Sequence, residues 1–181
     1  VFHPDDMEII KSQIKDPKYR TGFDRNFWIW EEYDPEYTYM LSADVARGDG
    51  NDYSAFHIFK IETMEIIAEY QGKATPDLFS NLIQNAAKEY NNCMVVVENN
   101  SIGYTVLDKL EENAYPNIYY AYKSSHEYVD PLTAETVNNA VAGFTMSLKT
   151  RPLVVAKMEE FIRNKLITIY SNRIFSEMET F

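Results

Sequence analysis

Three β-prone segments lie in close succession between Tyr37 and Tyr70: Tyr37 to Asp44, Tyr53 to Ile61 and Met64 to Tyr70. The first stops at Arg47-Gly48-Asp49-Gly50, a strong turn signal, and only Glu62 and Thr63 separate the second from the third. A parallel crossover needs roughly a dozen residues, so the three segments must form an antiparallel meander. Asp77 to Tyr90 follows as a helix that Thr75 or Pro76 opens. Leu78, Phe79, Leu82, Ile83, Ala86, Ala87 and Tyr90 form its single apolar stripe. Cys93 to Val97 is a continuous apolar run of strand length, the pattern of a central strand covered on both faces.

The remaining elements extend that order. Met7, Ile10 and Ile14 mark an amphipathic helix over 5–15. Residues 16–35 are turn-rich around Phe27, Trp28 and Trp30, and on a strand the two tryptophans would share a face as an aromatic lid on the core. Ser101 is placed to cap a helix from Ile102 to Asn113, with Val106, Leu107 and Leu110 inward. Ile118 to Ala121 reads as a short strand and Lys123 to Val137 as a polar loop. Arg151-Pro152 opens a helix to Asn164 that buries Val154, Met158, Phe161 and Ile162. A short strand, Ile167 to Tyr170, and a helix from Asn172 to Phe181 close the sequence. A meander feeding parallel strands that alternate with helices predicts an α/β mixed sheet flanked by helices. The RNase H-like fold has this order, as do several other mixed sheets.

Composition narrows the class. The 181 residues, 45% of them apolar and 14% aromatic, suffice for one hydrophobic core and exclude a disordered chain. No apolar run approaches the ~18 residues of a membrane span. The single Cys excludes a disulfide framework or a cysteine zinc site and suits a reducing, cytosolic compartment. A net charge of −11 weighs against a protein whose main task is coating nucleic acid. Between residues 141 and 176, however, Lys149, Arg151, Lys157, Arg163, Lys165 and Arg173 face only Glu159 and Glu160. That distribution fits an acidic enzyme that handles DNA transiently. It equally fits a solubilising surface with ordinary helix-face lysines.

Two acids stand where chemistry would be placed. Asp44 ends the first strand of the meander and Glu98 ends the strand after the long helix. As parallel neighbours those strands would lie about 4.8 Å apart, and their carboxylates would enter the crevice above the sheet edge. Two acids that close repel unless a cation lies between them. Shared carboxylates holding two Mg²⁺ or Mn²⁺ ions are suited to phosphodiester hydrolysis, and oxygen-only donors favour these hard ions over zinc. The turn through Gly48, Gly50 and Asn51 returns Asp52 towards Asp44. The alternative is that Asp44 caps a turn and Glu98 pairs with a lysine. Lys149 and Arg151, at a helix start that favours phosphate, are the candidate DNA contacts. His3, His57 and His126 are scattered and read as structural or surface residues, and there is no P-loop for ATP.

The runs Asp44-Val-Ala-Arg-Gly-Asp-Gly-Asn-Asp52-Tyr-Ser-Ala and Val95-Val-Val-Glu98-Asn-Asn-Ser-Ile-Gly103 resemble the C-terminal nuclease domain of the large terminase subunit of tailed phages. Trp28-Ile-Trp30-Glu, Gly143-Phe-Thr-Met-Ser and Arg151-Pro152 resemble that family's framing segments, so the likeness covers residues 25–181. The resemblance implies an RNase H-like endonuclease cutting concatemeric double-stranded DNA during genome packaging in the host cytoplasm. It assigns Asp44 and Glu98 as metal-binding acids, with Asp52 beside the first. It also implies an upstream ATPase domain, a portal protein and a small terminase subunit as partners. Residues 1–36 are then expected to be a linker and helix from a preceding domain, and 37–181 the nuclease domain, truncated at its C-terminus. The family's third acid belongs to a Gly/His-Asp-Asp stretch beyond a helix resembling Asn172 to Phe181, and the sequence stops before it. This piece is therefore expected to bind metal weakly and cut poorly. A non-catalytic docking module of the motor and a resolvase or transposase core are the alternatives.

Overall fold

The computed structural model describes residues 1–123, 125–130 and 139–181. The core of the meander is β3 (Tyr39–Asp44), β4 (Ser54–Lys60) and β5 (Glu65–Gly72), paired antiparallel as the short connections require. Then come α2 (Pro76–Glu89), β6 (Met94–Val97) and α3 (Gly103–Glu112). Ahead of the meander lie α1 (Pro4–Gln13), β1 (Tyr19–Thr21) and β2 (Phe27–Ile29). After α3 come β7 (Tyr120–Tyr122), β8 (Tyr128–Val129), β9 (Ala140–Ala142), α4 (Thr150–Arg163), β10 (Thr168–Ile169) and α5 (Asn172–Thr180).

Among the described residues seven strands form one mixed sheet in the order β1-β2-β5-β4-β3-β6, with β10 parallel to β5 at its other end. Two cores follow from the alternation of side chains across it. Leu41, Ala43, Phe56, Ile58, Val95 and Val97 face α2 and α3, meeting Phe79, Ile83, Val106, Leu107 and Leu110 in the main cluster. On the other face a smaller cluster joins Ile66 to Ile10 of α1, Ile162 of α4, Ile169 of β10, and Phe175 and Met178 of α5. The register shifts between Ile58 and Phe59, and Ile66, Ile67 and Ala68 are all buried as a result of serving both faces.

Several expectations are corrected here. The apolar run Met94–Val97 ends the ordered sheet instead of lying at its centre. Among the described residues its outer side carries isolated bridges alone, Val95 to Ile118 and the following Glu98 to Phe144, and Val95 and Val97 are buried while Met94 and Val96 are half-buried. The strand expected at Ile118 to Ala121 makes one bridge to Val95 and then turns into a separate three-stranded sheet, β8-β7-β9. Ile102, not Ser101, stands at the N-cap of α3, and the side chain that reaches the first helical N–H is Asn100, whose Oδ1 accepts from Gly103 N at 2.7 Å. Helix α4 is prepared by Ser147, whose hydroxyl accepts from Thr150 N while Thr150 Oγ1 accepts from Ser147 N, a reciprocal cap. Of the residues expected to be buried on α4 only Ile162 is; Met158 and Phe161 are half-buried and Val154 is exposed, because the helix borders an open groove. The expected loop from Lys123 to Val137 falls largely on residues 124 and 131–138, outside the described residues; Tyr128–Val129 within it pairs with β7.

The stretch 1–36 contributes β1 and β2 to the main sheet through the β2–β5 pairing, and α1 contributes Ile10 to the second core. Trp28 and Trp30 do share a side, with ring centroids 6.2 Å apart. Trp30 is buried and donates Nε1–H to Lys15 O at 2.9 Å. No helix among the described residues is long and apolar enough to cross a membrane.

Candidate active site

Parallel pairing of β3 with β6 sets Ala43 against Val97, and Glu98 N donates to Ala43 O at 3.0 Å. The next residue on each strand is an acid. Asp44 and Glu98 therefore leave the same sheet edge side by side, on the face opposite the α2–α3 core. Two close backbone approaches fix the edge. Gly48, at φ +83°, lies where an added Cβ would come 2.6 Å from Ala74 O, so the turn after Asp44 packs onto the start of α2. Gly103 opens α3 so close to the Glu98 carbonyl that any Cβ would overlap it. Ser54 Oγ accepts from Ala46 N at 2.9 Å, closing the loop that carries Asp52 back beside Asp44.

The electrostatics follow from this crowding. Burial pushes the Asp44 carboxyl above the ordinary range and the Asp52 charge adds to it, against a hydrogen bond from the Val45 backbone. Burial likewise raises Glu98, as does the charge on Asp44, while the Arg151 guanidinium opposes them. Each acid is thus destabilised as an anion by its neighbour, the condition a cation relieves.

A groove of about 780 Å³ opens beside this edge. Asp44 and Asp52 stand on its wall, Arg151 enters from α4, and Glu177 from α5. Lys149 is exposed at the start of α4 and is not part of the wall. The predicted residues are therefore only partly gathered: Asp52 acts electrostatically on Asp44, and Asp44 and Arg151 act on Glu98. Among the described residues, no three His, Cys, Asp or Glu side chains converge tightly enough to hold a metal ion. By donor type Asp44 and Glu98 fit a hard divalent cation as two of its oxygen ligands.

One constellation in the groove escapes sequence reading. Glu69 of β5, 1% exposed, accepts from Arg173 Nε at 2.6 Å and Ser171 Oγ at 2.8 Å, and its other oxygen is 3.2 Å from His57 Nε2. Arg173 also lies 3.6 Å over the Trp28 ring. An acid inside the apolar run Ile66-Ile67-Ala68-Glu69-Tyr70 is the only sequence signal for it; the partners come from distant elements.

A family model described as the terminase RNase H-like domain matches residues 41–170. The chain belongs to that family. Among solved structures it is similar to the large terminase nuclease from thermophilic phage G20c with bound zinc: TM-score 0.69, 15% identity, covering 97% of this chain and 85% of that one. The magnesium-bound form of the same nuclease gives a TM-score of 0.66 at 14% identity, covering 93% and 74%. The Thermus phage P74-26 large terminase nuclease domain gives 0.63 at 14%, covering 93% and 73%. At such identities the likeness is one of fold, and it is the RNase H-like fold expected from the sequence.

Proposed function

We propose that this chain is a metal-dependent endonuclease domain that hydrolyses phosphodiester bonds of double-stranded DNA during viral genome packaging. The observation that carries the reading is the pair of acids, Asp44 and Glu98, at the ends of adjacent parallel strands, where burial raises both and the charge on Asp44 further raises the affinity of Glu98 for protons. Family membership and the metals bound by the G20c nuclease support it.

In this reading Asp44 and Glu98 hold the divalent ions, Mg²⁺ or Mn²⁺, with Asp52 as the neighbouring acid. The metal supplies Lewis acidity at phosphate oxygen and lowers the pKa of bound water. The chain's own residues orient and screen. Arg151, on the groove wall and within the field of Glu98, offsets the negative charge that DNA and carboxylates bring together. The rigid β3–β6 edge fixes the spacing of the acids, and the groove admits the strand. The partners proposed with it are double-stranded DNA, a portal protein, a small terminase subunit and an ATPase domain in the same parent protein.

The test is nicking of supercoiled plasmid by the chain extended past Phe181, so that it takes in the acidic stretch the family resemblance implies. Cleavage is expected to require Mg²⁺ or Mn²⁺ and to fall on the order of a hundredfold or more in Asp44→Ala and in Glu98→Ala. Undiminished cutting by both variants would remove the site.

A further inference from the structure

One row deeper on the same sheet face lies a polar group that the acid pair does not use. Asp44 is opposite Ala55 on β4, Ser42 is opposite His57, and His57 in turn is opposite Glu69 on β5. Asp44, Ala55, His57 and Glu69 all border the groove. Burial pushes the Glu69 carboxyl up, but the hydrogen bond and charge of His57 and the partners Arg173 and Ser171 outweigh it, leaving the carboxyl below its ordinary range. An ionised carboxylate only accepts, so His57 must present Nε2–H to it. The ring is thereby pinned at one nitrogen. Among the described residues Nδ1 has no hydrogen-bond partner, and the side chain is 29% exposed.

The bracing of α5 to the sheet does not need His57. Glu69 already holds Arg173 and Ser171, and Arg173 is further committed to Asn26 O at 3.1 Å and to the Trp28 ring. What His57 adds is a fixed imidazole facing the groove, with a buried anion behind it to balance a positive charge. Diagonal neighbours on adjacent strands lie roughly 7–8 Å apart. A strand held by one phosphate at the acids can therefore offer the neighbouring phosphate to His57.

We propose that His57 is a substrate-contacting residue: its imidazolium, held at Nε2 by Glu69, donates Nδ1–H to a phosphate oxygen of the DNA strand bound in the groove. This rests on the nuclease reading above. The other charged or titratable groups facing the groove are Asp44, Asp52 and Tyr53 on its wall, Glu69 behind the ring, Arg151 from α4, and Arg173 and Glu177 from α5. Apart from Glu69, which loses its His57 partner but keeps Arg173 and Ser171, these groups are common to the wild type and a His57 variant, so their titration cancels in the comparison.

Affinity for a short duplex DNA, measured with Ca²⁺ in place of Mg²⁺, is compared at about pH 6 and about pH 8. His57→Gln is expected to bind about fivefold more weakly than wild type near pH 6 and almost equally near pH 8. Equal affinities at both pH values, or the same loss at both, would overturn the proposal, the second outcome indicating a merely structural role. An imidazole NMR titration of the wild type needs no variant: the His57 midpoint must move upward when the duplex is added, and an unmoved midpoint also overturns the contact. A wild type that cuts plasmid while His57→Gln binds normally sinks only the role of His57. A wild type extended past Phe181 that neither binds nor cuts with Mg²⁺ or Mn²⁺ sinks the nuclease reading itself.

Discussion

Asp44 and Glu98 retain protons more tightly in the fold than in the unfolded chain, first because of burial and then because of a neighbouring charge, Asp52 for Asp44 and Asp44 for Glu98. A carboxyl raised in this way favours the folded state at pH values below its unfolded pKa. That contribution is lost as pH rises through the folded value. At neutral pH without metal the ionised pair is therefore a net cost. Asp44→Asn is expected to melt above wild type near pH 7 in EDTA, with the gap closing as the acids protonate. Adding Mg²⁺ or Mn²⁺ should raise the wild-type melting temperature by about 3 °C and leave Asp44→Asn unmoved. Thermal melts at two pH values, with and without metal, check both statements. A wild type indifferent to metal would argue that the two acids hold none. The residue scale is also where the sequence was easiest to read: an acid that directly follows Met94–Val97 is conspicuous in any buried run. Glu69 is not, because its meaning depends on His57, Ser171 and Arg173, which only the tertiary structure brings to it.

At the level of elements, α5 is tied to the sheet by Arg173, whose guanidinium joins Glu69 of β5, Asn26 O and the Trp28 ring. Removing the arginine leaves a buried carboxylate with its closest hydrogen-bond partner gone. Arg173→Ala is expected to lower unfolding stability by about 3 kcal/mol, measured by urea denaturation. A loss below about 1 kcal/mol would mean that Ser171 and His57 suffice to hold Glu69. Helices α2 and α3 were legible from their apolar stripes because they pack on a flat, fully covered sheet face. Helix α4 was legible in its bounds but not in its burial: its 3.6-residue spacing marks Val154 and Met158 as inward, yet the side it turns to the sheet borders a groove. Periodicity reports which face of a helix points inward, not whether anything fills the space there.

Over the whole molecule the acidic balance of −11 and the basic segment 149–173 pull in opposite directions on any DNA partner. Lys149→Ala combined with Arg151→Ala is expected to reduce the slope of log affinity against log salt by about 2 for duplex DNA. An unchanged slope would remove both residues from the interface. Arg151 lies on the groove wall while Lys149 stands outside it, so separate variants distinguish a groove contact from a flanking one. The connection lengths between Tyr37 and Tyr70 forced an antiparallel meander, and the apolar stripes forced helices after it; local sterics and burial decide such features within a few residues. The sequence by itself therefore determined the order of elements from the meander through α3 and marked Asp44 and Glu98 as strand-end acids. Only the tertiary structure decided that β6 borders the sheet, that the chain after Ile118 leaves for a second sheet, and that His57, Glu69 and Arg173 share one groove. These depend on long-range register and on which faces find partners, and no local pattern encodes a contact between residues a hundred positions apart.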